Sequence, residues 1–174
     1  MNNIEKKTQN KLIPFILTVL VILIDQITKI IITKTIAPYT VGWSFADDLI
    51  RIIHVTNKGV AFSIGYTLPY ALRGFLFSLI PLIVITAAII FYFKSGDEFS
   101  ALTRWCICGV IGGGLGNIID RIFRPEGVID FVDVKFFGLF GLDRWPTFNF
   151  ADAVIVVCGI LLVISFYFSS KDSK

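Results

Sequence analysis

Apolar side chains fall in four long runs, at about residues 12–32, 72–93, 105–122 and 150–168. Between them, charged and turn-forming residues return. About 20 residues in an α-helix cross the ~30 Å hydrocarbon layer of a bilayer. Backbone polar groups in lipid must be satisfied within their own segment, so each run predicts a membrane-spanning helix. The first run is apolar except for Asp25, Gln26 and Lys29, and it follows a basic start with Lys6, Lys7 and Lys11. A basic start also opens a cleaved signal peptide. Here no small-x-small cleavage pattern follows, and the apolar character resumes after Asp25, which favours a span. The second run follows Leu68 and Pro69, and its membrane part begins at Leu72. The expected fold is all-α transmembrane, a four-helix membrane bundle forming one domain over residues 1–174.

The loops change the period. Residues 49–56 (LIRIIHVT) are rich in β-branched side chains, Asn57-Lys58-Gly59 is a turn signal, and residues 60–64 read as a second short strand. A small sheet on the membrane surface is expected there, with Trp43 and Tyr66 suited to the headgroup region. The stretch 123–148 is too short and too broken by charge to cross, and reads as another strand or an interfacial segment. Orientation follows Lys and Arg in short flanks. The flanks 1–11, 94–104 and 169–174 carry Lys6, Lys7, Lys11, Lys94, Arg104, Lys171 and Lys174. The two long loops are less densely basic. Both termini are therefore expected in the cytoplasm, with both long loops outside.

Composition narrows the class further. The chain is 55% hydrophobic and 17% charged, with mean hydropathy +0.79. A soluble domain carries about 25% charged residues. The net charge of +3 and the lack of a basic tract point away from nucleic acid. Cys106, Cys108 and Cys158 all lie in apolar runs, as small packing residues do, and form no disulfide or zinc pattern. His54 is the only histidine, so a histidine-based triad is not expected, and neither is a metal or cofactor. In the third run Gly109–Gly113 and Gly112–Gly116 are spaced by four, which lets a neighbouring helix approach closely.

The chemistry concentrates between Gly112 and Asp152. Asp120, Asp130 and Asp152 stand at the boundaries of the last two spans, with Asn117, Arg121 and Asn149 beside them. Ionisable residues at membrane depth are costly and mark functional sites. Peptide hydrolysis without a metal or a nucleophile needs two close carboxylates, one ionised to take a proton from water and one protonated to hold the carbonyl. Asp130 and Asp152 could form that pair. If Asn149 caps the fourth helix, Asp152 falls in its first turn, where an anion is favoured, so Asp152 is the more acidic member. A purely structural reading also stands. Asp152 suits any first helical turn, Asp120-Arg121 could be an end-of-helix pair, and Asp133 and Asp143 read as solvated loop carboxylates. Asp25 and Lys29, four apart, are expected to neutralise each other near the outer surface and hold the hairpin loop.

Five short blocks, in order, resemble the lipoprotein signal peptidases (signal peptidase II). Asp25-Gln26-Ile27-Thr28-Lys29 resembles that family's DQxTK, and Asn57-Lys58-Gly59-Val60-Ala61-Phe62-Ser63 its NxGAAFS. Gly116-Asn117-Ile118-Ile119-Asp120-Arg121 resembles GNxxDR, Val128-Ile129-Asp130-Phe131 VxDF, and Phe148-Asn149-Phe150-Ala151-Asp152 FNxAD. The resemblance implies an aspartic endopeptidase of the bacterial cytoplasmic (inner) membrane. It would remove signal peptides from diacylglyceryl-modified prolipoproteins, cutting just before the lipidated cysteine. It implies catalysis by Asp130 and Asp152, support from Asn57, Gly59, Asn117, Asp120, Arg121, Asn149, Asp25 and Lys29, and inhibition by the cyclic peptide globomycin. It also implies an extracytoplasmic β-cradle with a flap in the outer loops. Partners would be lipidated precursors and membrane lipids, and nothing demands more than a monomer. The chain departs from the pattern in two places. Val60 stands where alanine is usual, and the segment between the last two blocks is longer, with KFFGLFGLDRW inside it. The longer segment makes Asp133 a rival to Asp130.

Two other readings use the same carboxylates. A proton- or ion-coupled transporter would use Asp25, Asp120 and Asp152 as a relay, although four spans without an inverted repeat are few for one. A magnesium-dependent lipid headgroup transferase would bind the ion with Asp120, Asp130 and Asp152.

Overall fold

The computed structural model of the protein describes residues 11–58, 70–95 and 99–172. Four helices carry the four apolar runs: α1 (Phe15–Thr35), α2 (Tyr70–Ser95), α3 (Ala101–Phe123) and α4 (Phe150–Asp172). Each contains a stretch long and apolar enough to cross a membrane. α3 begins at Ala101, ahead of the apolar run, because Ser100 caps it: the hydroxyl accepts the Thr103 amide at 3.1 Å.

α3 is the central helix. In its spanning window 61% of residues are buried, against 28% for α1 and 11% each for α2 and α4. The outer three therefore turn most of their apolar surface outward, as helices facing lipid do. Lipid gives no hydrophobic drive between helices, so close packing and polar contacts must hold the bundle. The glycines of α3 supply the close packing. A Cβ on Gly112 would lie 2.9 Å from the Thr18 carbonyl of α1, and one on Gly113 would lie 2.6 Å from the Ala151 carbonyl of α4. Where α1 and α3 approach, Thr18 Oγ1 donates to the Cys108 carbonyl at 2.7 Å. Tyr92, Cys108 and Ile111 are almost wholly buried in a cluster with Ile85, Ile107 and Ile118. The Tyr92 hydroxyl escapes this apolar setting by donating to the Lys11 carbonyl at 2.7 Å. All three cysteines are free and buried, as their apolar context predicts.

A three-stranded antiparallel sheet sits where α1 and α3 end and α4 begins, in the order β1 (Val41–Phe45), β2 (Ile50–Asn57), β3 (Val128–Val134). The strand expected at 49–56 is β2, and the segment expected to be a strand or interfacial contains β3. The strand expected at 60–64 lies outside the described residues. Among the described residues, the neighbours of β2 are β1 and β3.

Register fixes the two faces. Trp43, Ile52 and Val132 are aligned, as are Phe45, Ile50 and Val134, and these rows share one face. Ile52 and Val132 pack with Ile36 onto the cluster of Ile32, Ile129 and Phe131, which seats the sheet on the last turn of α1. The other face carries the row Ser44, Arg51 and Asp133. Asp133 is thus no solvated loop carboxylate. It is buried, with Arg51 Nε donating to it at 2.7 Å and Arg144 Nε at 2.7 Å. Asp143 is exposed, as expected. His54 Nδ1 lies 2.8 Å from the Ile36 carbonyl, so the histidine ties β2 to the exit of α1.

Candidate active site

Three elements bring the site residues together, each for a local reason. α3 ends at Phe123, and the chain turns through Gly127, whose amide bonds the Arg124 carbonyl at 3.0 Å. Gly127 has φ +102°, and a Cβ there would lie 2.5 Å from the Asn57 carbonyl. Only glycine lets the end of β2 cross this closely. The crossing pairs Asn57 with Val128 and brings the Asn57 side chain to Asp130 on β3. Asn57 Nδ2 donates to Asp130 Oδ2 at 3.1 Å.

The third element is the first turn of α4. Asn149 Oδ1 accepts the Asp152 amide at 2.9 Å, and the Asn149 amide donates to Asp152 Oδ2 at 3.2 Å. This reciprocal pair is a capping box with aspartate in the acidic position. Asn149 is therefore the cap that the sequence suggests, and Asp152 is in the first helical turn. The Asn149 side-chain amide has two hydrogens and uses both, to Asp130 Oδ1 at 2.7 Å and to Asn117 Oδ1 at 3.0 Å. Asn117 in turn gives Nδ2 to Asp152 Oδ1 at 2.8 Å. Two asparagines thus bridge two carboxyl groups from separate elements.

The two carboxyl groups differ in setting. Asp130 is buried, while Asp152 is half-buried. Burial first, and the charge of Asp152 second, push Asp130 up to about 7, and the Asn57 and Asn149 donors offset only part of that. A carboxyl of this kind holds its proton near neutral pH. The arrangement can therefore present one acid and one base a short distance apart.

Behind the asparagines lies a buried charge cluster. Lys29 Nζ contacts Asp25 Oδ2 at 2.8 Å, Asp120 Oδ2 at 2.8 Å and Asn117 Oδ1 at 2.9 Å, using the three donors of an ammonium. All three charged side chains are wholly buried. Arg124 pairs with Asp120, so two cations face two anions. The remaining oxygen of Asp25 accepts the Ala151 amide at 3.1 Å, which satisfies a free donor at the start of α4. The Asp25–Lys29 pair therefore forms, but it does not hold the loop near the surface. It joins α1 to α3 and α4 from inside the bundle, because Asp120 and Asn117 supply the acceptors that a buried ammonium needs.

Asp120 and Arg121 do not form an end-of-helix pair. Arg121 stands in the last turn of α3, as expected, but Asp120 turns to Lys29, and Arg121 Nη1 donates to the Phe77 carbonyl of α2 at 2.7 Å. Gly59 lies outside the described residues. Two participants escape the sequence reading. Gln26 Nε2 reaches Asp120 Oδ1 at 3.0 Å and the Gly116 carbonyl at 3.1 Å. Arg124 pairs with Asp120 one turn back. A polar residue inside a span and an i, i+4 spacing were the available signals. Among the described residues there is no cluster of three or more His, Cys, Asp or Glu side chains arranged for a metal ion.

Known proteins resemble this chain over most of its length. The family model described as signal peptidase (SPase) II matches residues 17–168. The lipoprotein signal peptidase of Treponema pallidum is 46% identical over 94% of this chain and 88% of its own length. That of Treponema denticola is 46% identical over 93% and 92%, and that of Borreliella burgdorferi 41% over 90% and 91%. A bacterial membrane enzyme solved by the in meso method superposes with a TM-score of 0.76 at 28% identity, over 92% of this chain and 91% of that one.

Proposed function

The chain belongs to the signal peptidase II family, and from that premise we propose that it cleaves prolipoproteins as an aspartic endopeptidase through Asp130 and Asp152. The observation that carries this reading is the bridge of Asn149 and Asn117 between the two carboxyl groups. Asp130 serves as the protonated member and Asp152 as the ionised one. Asp152 takes a proton from a water molecule as the water oxygen attacks the scissile carbonyl. Asp130 gives its proton to the carbonyl oxygen, and a tetrahedral diol forms. The C–N bond then breaks as the leaving amine takes a proton from Asp152 and a diol hydroxyl returns one to Asp130. The products are a signal peptide ending in a carboxylate and a lipoprotein with a free amine. Sharing one proton between the pair follows from like-charge repulsion, and its apparent pKa values belong to the pair.

The substrate is the diacylglyceryl-modified precursor, cut before the lipidated cysteine. Acyl chains hold that cysteine near the headgroups, and the site stands where α3 ends and α4 begins. Asn57, Asn117 and Asn149 orient the carboxyl groups. The sheet and the site face the outside of the inner membrane, with both termini in the cytoplasm. The enzyme acts as a monomer and is blocked by globomycin. The transporter and the magnesium-dependent transferase find no support among the relatives.

The test is cleavage of a diacylglyceryl-modified prolipoprotein by purified protein in detergent with EDTA present. Wild type should cut before the lipidated cysteine. Asp130→Asn and Asp152→Asn should abolish the cut, and Asp133→Asn, which loosens only an arginine clamp, should keep it. Cleavage surviving Asp130→Asn but not Asp133→Asn would move the dyad. No cleavage by folded wild type would overturn the peptidase reading.

A further inference from the structure

α2 carries Pro81 inside its apolar run. Proline has no amide hydrogen, and its ring presses on the carbonyl four residues earlier, so the Phe77 carbonyl lacks its i+4 helical donor. In lipid such a carbonyl must find another donor. It finds Arg121, whose Nη1 donates at 2.7 Å from α3. Arg121 follows Asp120 directly in sequence. Asn117, one turn earlier on the same face of α3, donates to Asp152 at 2.8 Å, so Arg121 stands on the side of the helix that faces the paired aspartates. Yet among the described residues Arg121 forms no ion pair with any of them, and its buried Nε has no hydrogen-bond partner. A guanidinium close to two reactive carboxyl groups will collapse onto the ionised one unless something holds it back.

We infer that Pro81 is a positioning residue for the peptidase reaction: it creates the acceptor at Phe77 that tethers Arg121 beside the paired aspartates without letting it pair with them. The inference rests on the peptidase reading. Held this way, Arg121 favours negative charge at the site while leaving both carboxyl groups free for water and the scissile carbonyl. Without the tether, an Arg121–Asp152 pair forms and occupies the base.

The experiment replaces the proline by residues that restore the amide. In Pro81→Ala the new N–H takes the Phe77 carbonyl and the helix regains an uninterrupted ladder, so the thermal midpoint should hold or rise. The cleavage rate of the lipidated precursor should nonetheless fall about tenfold, in kcat more than in KM. The acidic limb of the pH profile should move down by about one unit as Arg121 pairs with the base. In an Arg121→Gln background, adding Pro81→Ala should change the rate less than about twofold, because the two changes disable one device. Pro81→Leu, which also supplies an amide, should repeat the result. Wild type assayed alongside separates this test from the peptidase reading: no cleavage by wild type refutes that reading, not the tether. With wild type active, an unchanged rate and pH profile in Pro81→Ala overturns the inference. So does a loss that multiplies with that of Arg121→Gln, or a failure of both proline variants to fold.

Discussion

The side-chain amide of Asn149 donates to Asp130 at 2.7 Å while its carbonyl oxygen caps the helix that carries Asp152. One residue thus sets both the start of α4 and the position of the buried acid. A helix cap is satisfied by serine nearly as well as by asparagine, whereas the bridge to Asp130 needs the amide. Asn149→Ala should lose about 1 kcal/mol from the cap together with the bridge. Asn149→Ser should recover most of the melting temperature and none of the activity, leaving cleavage down roughly tenfold to a hundredfold. Melting curves and cleavage rates of the two variants measure this. Full cleavage by Asn149→Ser would mean that the cap alone matters.

The raised Asp130 predicts a definite pH dependence. Its ordinary unfolded value is about 3.9, and in the fold it is pushed up to about 7, by burial first and Asp152 second. Between those values the native state keeps a proton that the unfolded state has released. Stability from this group is therefore full below about pH 4, falls as pH rises toward 7, and is flat above, with a slope of at most ~1.4 kcal/mol per unit. Wild type should lose melting temperature across that window relative to Asp130→Asn, which has no such proton. Cleavage should fall on the alkaline side with an apparent pKa near 7. Parallel melting curves for the two proteins between about pH 4 and 7 would contradict the assignment.

Much of this is legible from residue order. The four spans follow from hydropathy because lipid leaves helices as the only way to satisfy the backbone of an apolar run. The cap at Asn149 follows from Phe-Asn-Phe-Ala-Asp preceding such a run. β1 is not legible, since all five of its residues are exposed and burial leaves no mark on them. Nor is the fate of Asp133, because its pairing depends on the register that places it across from Arg51. The Asp25–Lys29 pair is visible as a spacing, but its third member, Asp120, is set by helix packing that the glycines of α3 allow. Adjacency in sequence suggests Asp120 as the partner of Arg121. The true partner is a carbonyl freed by Pro81, whose place inside the second apolar run is the signal for it.

The buried cluster predicts which charge the fold can least lose. Lys29 sits between Asp25 and Asp120 with no solvent exposure. Removing one partner of a buried ionic group leaves uncompensated charge, at a cost of about 3–5 kcal/mol. Lys29→Met should therefore sharply reduce the yield of folded protein and lower its melting point. Adding Asp25→Asn, which removes one of the stranded carboxylates, should restore part of both. Size-exclusion yield and thermal melts in the same detergent report the outcome. A single variant as stable as wild type would show that the carboxylates simply protonate without strain.

Glycine contacts on α3 and α4 give a matched pair of substitutions. A Cβ at Gly112 meets the Thr18 carbonyl at 2.9 Å, and backbone cannot swing aside as a side chain can. The Thr18–Cys108 hydrogen bond further fixes that approach of α1 and α3. Gly112→Ala should therefore force the helices apart and cost about 1–3 kcal/mol, despite the better helix propensity of alanine. Gly159 lies within α4, and a Cβ there would meet nothing within 4 Å. Gly159→Ala should therefore be neutral or gain up to ~1 kcal/mol. Melting the two variants beside wild type isolates packing from propensity, because both introduce the same methyl group into a helix. Equal shifts in the two would mean that the α1–α3 approach is soft, and that the cluster around Lys29 rather than the glycines sets the helix spacing.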